Sequence, residues 1–302
     1  MIPIRLITGF LGSGKTTLLK NLIRQNQSRK CVYLVNEFSP ADVDGVLLAE
    51  LTPDSLSIPG GSIFCRCLAG QFVSHLQEIP QRFAADGQII DELIIEASGV
   101  ADPRVIFTML KETGLNRIYQ IRSVIAIIDP LNFHKLLLTL PNIRSQIEAA
   151  DTILINKVDC IAAEIITETA AKIKAINPQA RIWPTTFGSI APESLEASGP
   201  MPEVTGEFAA CRDPHFAQTI LDGSNLTLEK LQNIVAPVAE NIFRLKGFIS
   251  EGERQMCVDF SQSGWQARDV SGSDRRPEIA VIVSGGQQQE VFDHFKINGM
   301  LN

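Results

Sequence analysis

The chain has 302 residues, 45% hydrophobic and 20% charged, the composition of a soluble globular protein and enough length for one large domain or two ordinary ones. Its formal net charge of −7, from 27 basic and 34 acidic residues, argues against broad sequence-independent binding to nucleic acid, which needs a basic surface. No apolar run approaches the ~20 residues that span a bilayer, and Met1–Leu6 runs straight into a strand pattern with no room for a signal peptide, so the expected compartment is the cytoplasm and the cysteines are read as reduced thiols.

Through the first ~185 residues, short apolar runs alternate with longer helical patterns, which predicts a parallel sheet covered by helices. The predicted strands are Ile4–Thr8, Cys31–Asn36, Glu92–Glu96, Ser123–Asp129 and Thr152–Asn156, rich in Ile, Leu and Val with little alternation, as strands buried on both faces are. Predicted helices between them are Lys15–Gln25, Cys67–Phe83, Pro103–Thr113 and Ala162–Ile176. A stretch rich in Pro, Gly, Ser and Glu then reads as a linker over 188–206. Beyond it, strands at His215–Leu221, Ile242–Ser250, Gln255–Phe260 and Glu278–Val283, with helices at Thr227–Glu240 and Gln287–Phe295, predict a smaller α+β domain over 207–302.

The first predicted strand runs into Gly9-Phe-Leu-Gly-Ser-Gly-Lys-Thr-Thr17. Gly9, Gly14, Lys15 and Thr16 meet the pattern Gly-x4-Gly-Lys-Ser/Thr, in which glycines let backbone N–H groups curl around an anion at a helix N-terminus. Gly12, Ser13 and Thr17 complete the expected cradle, Lys15 is expected to neutralise β- and γ-phosphate charge, and Thr16 to ligate Mg²⁺. After the strand at Thr152 comes Asn156-Lys157-Val158-Asp159. A carboxylate at Asp159 can accept from the N1–H and N2–H₂ edge of guanine, a paired donor edge that adenine lacks, so GTP is expected rather than ATP.

With these motifs, the segments GFLGSGKTTLL (9–19), VNEF and VDG (35–38 and 43–45), PGG (59–61), IEASGVADP (95–103), ADTILINKVD (150–159) and HFKINGML (294–301) resemble the CobW-like GTPases over essentially the full length. That resemblance implies a P-loop GTPase domain over 1–187 followed by a CobW C-terminal domain, in a family implicated in delivering or managing zinc, cobalt or other metals. It places Glu96 and Gly99 in the Walker B and switch II segment, where a carboxylate can hold Mg²⁺ through water and the Gly99 N–H can meet the γ-phosphate. Glu37 and Asp42 fall in switch I, where either could place the metal ion or the attacking water; a structural role for Glu37 stays open. Pro184–Gly188 resembles the loop that closes over the base.

The metal end departs from the family. Members that handle metal usually carry Cys-x-Cys-Cys after the Gly-Gly pair, whereas the aligned residues are Ser62, Ile63, Phe64 and Cys65, with Cys67 as a second thiol two residues on. Two thiols cannot close a tetrahedral site for Zn²⁺ or another transition metal; Asp42, Glu37, His75 or a second chain could complete it, and packing cysteines are the favoured reading. Cys31 and Cys160 are also read as small packing residues. In the C-terminal region Cys211 and His215 have a metal-like spacing without a compact second pair in Cys257 and His294, and Arg244, Lys246, Arg254, Arg275 and Arg276 make a locally basic segment read as a solvated face.

The expected function is therefore a Mg²⁺-dependent GTPase whose partners are GTP and a client metalloprotein, with no nucleic acid and no membrane, and with homo-oligomerisation left open. The alternative is a nucleotide-gated interaction switch that no longer transfers metal.

Overall fold

The computed structural model describes residues 1–38, 42–66, 68–85, 87–195, 205–207, 215–270 and 275–301; Ser39, Pro40, Cys67, Cys211 and much of the 188–206 stretch lie outside them. Seven strands, β1 (Ile2–Thr8), β2 (Cys31–Glu37), β3 (Ser55–Pro59), β4 (Glu92–Glu96), β5 (Tyr119–Ile128), β6 (Thr152–Ile155) and β7 (Arg181–Pro184), form one sheet in the order β3-β2-β4-β1-β5-β6-β7. Every pairing in it is parallel. Helices α1 (Lys15–Gln25), α2 (Val43–Ala49), α3 (Ala69–Ala85), α4 (Val105–Glu112), α5 (Pro130–Thr139), α6 (Pro141–Ala149) and α7 (Ala163–Ile176) flank it. All five residues of β4 are buried, so both faces of the sheet centre are covered. On one face Leu18, Leu19 and Leu22 of α1 pack with Ile7, Val35, Ile94 and Ile127. This is the expected P-loop NTPase architecture.

Several elements escaped the sequence pattern. β3 and β7 are short and half-exposed, and their Ser and Pro content hides them. The cluster Pro130–Ala149 resolves into α5 and α6, each opened by a proline at its first position, where a missing N–H costs nothing. Within α3, Pro80 removes the donor that would satisfy the Leu76 carbonyl, and the buried Tyr119 hydroxyl donates to that carbonyl at 2.7 Å.

Five antiparallel strands, β8 (Phe216–Asp222), β9 (Ile242–Glu251), β10 (Arg254–Ser261), β11 (Gly264–Asp269) and β12 (Glu278–Ser284), make a second sheet in the order β11-β10-β9-β12-β8. Leu231, Ile234 and Val235 of α8 (Leu228–Val235) and Val291 and Phe295 of α9 (Gln288–Ile297) pack on Leu221, Leu245, Val258, Ile279 and Val281. The single helix expected over Thr227–Glu240 instead changes at Val235 into a tighter 3₁₀ stretch, Ala236–Asn241, because Pro237 cannot donate to the helical ladder. Residues Met1–Phe38 with Asp44–Cys211 form one compact unit, and Ser39–Val43 with Arg212–Asn302 a second. No helix among the described residues is long and apolar enough to cross a membrane.

Candidate nucleotide site

In a parallel sheet all carboxyl ends of the strands lie on one edge, where ligands bind. Five segments with chemical content leave that edge: the Gly9–Thr17 loop after β1, Asn36–Glu37 on β2, Glu96–Gly99 on β4, Asp129 after β5 and Asn156–Asp159 after β6.

Gly14 opens α1 with φ 112°, a backbone conformation that a side chain resists, and a Cβ there would collide with the Asn156 amide. α1 has no side-chain cap, so its first-turn N–H groups depend on other acceptors. Lys15 is buried, and its ammonium donates to the Phe10 carbonyl at 3.1 Å across the loop. The Thr16 hydroxyl donates to Glu96 Oε1 at 3.0 Å, which sets the two candidate Mg²⁺ groups side by side at the foot of the loop. Thr17 is exposed. Gly99 closes against the loop from the other side: a Cβ on it would stand 2.6 Å from the Leu11 nitrogen.

The hydroxyls of Thr8, Ser13 and Ser98 are buried with no hydrogen-bond partner among the described residues. Such groups are costly unless another molecule supplies partners. With an adjacent hydroxyl–carboxylate pair and a buried lysine, they fit a magnesium-bound nucleoside triphosphate.

At the predicted base end, Asn156 is buried, and its amide acts as a tie. It donates to the Ser13 carbonyl at 2.9 Å and accepts from the Gly188 N–H at 2.9 Å and the Thr185 hydroxyl at 3.2 Å. One side chain thus holds the phosphate loop and the Pro184–Gly188 loop together. Lys157 takes a left-handed backbone (φ 61°), and its ammonium pairs with Asp129 Oδ2 at 2.8 Å. Asp159 lies beside an exposed thiol: Cys160 Sγ donates to Asp159 Oδ2 at 3.4 Å, and that contact raises the thiol pKa. Cys160 is therefore not the packing residue expected, because the short 3₁₀ turn over Val158–Cys160 leaves it on the surface.

Glu37 Oε2 accepts from the Asp44 N–H at 3.3 Å and so tethers the start of α2, with Asp42 just before that helix. Cys65 is buried and disulfide-bonded, which corrects the expectation of reduced thiols at that position. Ile63 and Phe64 beside it are fully buried, and Phe64 packs edge-on against Phe72. Cys67 lies outside the described residues, and among those described no three His, Cys, Asp or Glu side chains are grouped as a metal site would need. His294 is engaged with the Ile234 carbonyl at 2.7 Å, Cys257 is buried, and Arg244 pairs with Asp259 at 2.7 Å.

Three residues were missed by sequence reasoning. Asp129 was signalled by its position as a cap before Pro130. Gln146 on α6 is fully buried and donates to the carbonyls of Gly99 and Ala101, both at 3.2 Å. Asn36 bonds to three separate segments. Asn36 lies in the VNEF segment without a role assigned to it, and nothing in the sequence marks Gln146, since the roles of both depend on what the fold places around them.

The fold and this arrangement define a P-loop nucleotide-binding protein. The nucleotide-binding domain of the CobW/HypB/UreG family matches residues 3–184, and the chain belongs to that family. It is similar to the zinc chaperone YjiA of Escherichia coli (strain K12), with 30% identity over 307 residues covering 96% of this chain and 95% of that protein. It is also similar to the zinc chaperone YeiR of the same organism, 33% identical over 165 residues, and there it spans about half of each chain (53% and 47%). A crystal structure of Zn(II)-bound YjiA GTPase from E. coli matches with a TM-score of 0.49 and 20% identity, covering 100% of this chain and 99% of that one.

Proposed function

We propose that the protein is a Mg²⁺-dependent GTPase of the metallochaperone kind, in which the nucleotide state controls handling of zinc or a similar ion for a client metalloprotein. The observation that carries the nucleotide half is the Thr16–Glu96 contact at 3.0 Å beside the buried Lys15. Gly9, Gly12, Ser13, Gly14 and Thr17 would cradle the phosphates, and Thr16 and Glu96 would hold Mg²⁺. The bound ion would supply charge neutralisation at the phosphate oxygens. Lys15 offsets charge at the β- and γ-phosphates, the Gly99 N–H meets the γ-phosphate, and Glu37 or Asp42 orients water. Asp159 would read the guanine edge, Lys157 would line the nucleotide pocket from its turn paired with Asp129, and Asn156 holds the two loops in register. The metal half draws on relatives named zinc chaperones.

A second reading is a nucleotide-gated interaction switch without metal transfer. It is favoured by the buried Ile63 and Phe64 in the aligned stretch and by the disulfide at Cys65. In either reading we assign the GTPase domain to 1–187 and the CobW-like domain to 207–302, in a cytoplasmic protein. The experiment is phosphate release from GTP by wild type and Lys15→Ala, with Zn²⁺ stoichiometry of wild type and a Cys65→Ala, Cys67→Ala double variant. Turnover lost with Lys15 supports the enzyme. Equal zinc content in wild type and the double variant sinks metal handling at these thiols.

A further inference from the structure

Asn36 sits at the end of β2, buried, with every hydrogen-bonding position of its amide filled. Its Nδ2 donates to the carbonyls of Ile58 at 2.9 Å and Gly61 at 2.7 Å. Its Oδ1 accepts from the N–H of Ile63 at 2.9 Å and of Ser98 at 3.2 Å. The first three partners belong to β3 and the loop that leads to Cys65. The fourth belongs to the segment after β4, directly before Gly99.

We propose that Asn36 is the positioning residue that couples the candidate γ-phosphate-sensing segment Ser98–Gly99 to the Ser62–Cys65 loop. This deepens the functional reading above and rests on its assignment of Gly99.

One oxygen is shared between Ile63 and Ser98, so the two N–H groups compete for its position. Gly99 has little freedom on its other side, because Leu11 of the phosphate loop closes on it. A shift at Gly99 is therefore passed back to Ser98 and, through Oδ1, to Ile63. The receiving loop can carry the shift as a body: the Cys65 N–H donates to the Ser62 carbonyl at 2.9 Å, the Phe64 N–H to the Ser62 hydroxyl at 3.2 Å, and Ile63 and Phe64 are fully buried. Packed elements of this kind respond in discrete steps and not by gradual bending.

The chemistry selects asparagine. Aspartate has no N–H to offer Ile58 and Gly61 and sets a charge against two carbonyls. Leucine leaves two donors and two acceptors buried without partners. Glutamine is one methylene too long for a site filled on all sides.

The test is amide hydrogen exchange of the full chain, comparing the GDP complex with that of a non-hydrolysable GTP analogue and following residues 58–66. In wild type the Ile63 amide is expected to exchange at rates about tenfold apart in the two complexes, a common size for coupling between sites. In Asn36→Leu, which removes the shared oxygen, with both nucleotides still bound, the two rates should agree within about twofold. Equal wild-type rates with both nucleotides bound overturn the coupling and leave the GTPase reading intact; this arm needs no variant and so survives a failure of Asn36→Leu to fold. A full wild-type difference retained in Asn36→Leu overturns it as well. If neither nucleotide binds, the assignment of the phosphate loop falls and takes the coupling with it.

Discussion

Asp129 serves two masters with its two oxygens. Oδ2 lies 2.8 Å from the Lys157 ammonium, while Oδ1 accepts from the Leu131 N–H at 3.0 Å and caps α5. Lys157 holds a left-handed backbone, so its stem is aimed by a turn that needs support from outside.

The two roles separate by substitution. Asp129→Asn keeps the cap and loses the ion pair, so GTP affinity should fall about fivefold, the scale of a partly exposed pair, with the melting temperature nearly unchanged. Asp129→Ala should lose a further ~1 kcal/mol of stability with the cap. Nucleotide titration and thermal melts of both variants check this, and equal melting temperatures would show that the cap is idle.

Much of this site was legible in the sequence for a physical reason. The Gly9–Thr17 loop and the Asn156–Asp159 motif act through residue types at fixed spacing, and the strands that carry them, such as Glu92–Glu96, are continuous apolar runs. The roles of Asn36, within the VNEF segment, and of Gln146 are not legible because a buried amide has meaning only through its partners, and theirs come from far along the chain: Ser98 for one, Gly99 and Ala101 for the other. β3 and β7 were silent because they are short and half-exposed, without the apolar content of the central strands. Cys160 is exposed where a packing residue is expected, because residue type and position after the Asn156–Asp159 motif do not show which way the short 3₁₀ turn over Val158–Cys160 faces.

Gln146 holds the carbonyls of Gly99 and Ala101 from α6, while its own carbonyl oxygen has no partner among the described residues. Gln146→Leu should leave those two carbonyls without its donors and loosen the turn after β4. GDP affinity is expected to stay within about twofold while kcat for GTP falls about tenfold, the pattern of an interaction used only beyond the ground state. Steady-state kinetics with GDP titration tests it; an unchanged kcat would reduce Gln146 to a packing residue.

Arg5 of β1 and Glu92 of β4 form a buried ion pair at 2.9 Å, and Arg29 approaches the second Glu92 oxygen at 3.4 Å. Glu92→Ala should cost about 3–5 kcal/mol because Arg5 is left charged and buried. Arg5→Met with Glu92→Leu should recover most of that loss, since the desolvation cost disappears with both charges. Thermal melts of the three proteins provide the comparison, and a double variant no better than Glu92→Ala contradicts it.

Cys160 is exposed, yet the hydrogen bond to the Asp159 carboxylate and its charge hold the thiol pKa above the usual range. A raised pKa means less thiolate at neutral and mildly alkaline pH, so alkylation should be slower than for an ordinary exposed cysteine and should rise with pH. Asp159→Asn removes the charge and should speed the reaction at pH 8. Iodoacetamide labelling followed by mass spectrometry reads this, and a slower variant would reverse the sign.

Guanine selectivity by Asp159 beside the phosphate loop separates GTP from every other nucleoside triphosphate as the cargo of this site. Displacement of a fluorescent GDP analogue from wild-type protein by GTP and by ATP, each with Mg²⁺, tests that claim in one titration. Two charge-assisted hydrogen bonds donated by the guanine N1–H and N2–H₂ to the Asp159 carboxylate predict that GTP competes at least about 100-fold better than ATP. Equal competition by the two nucleotides would contradict it.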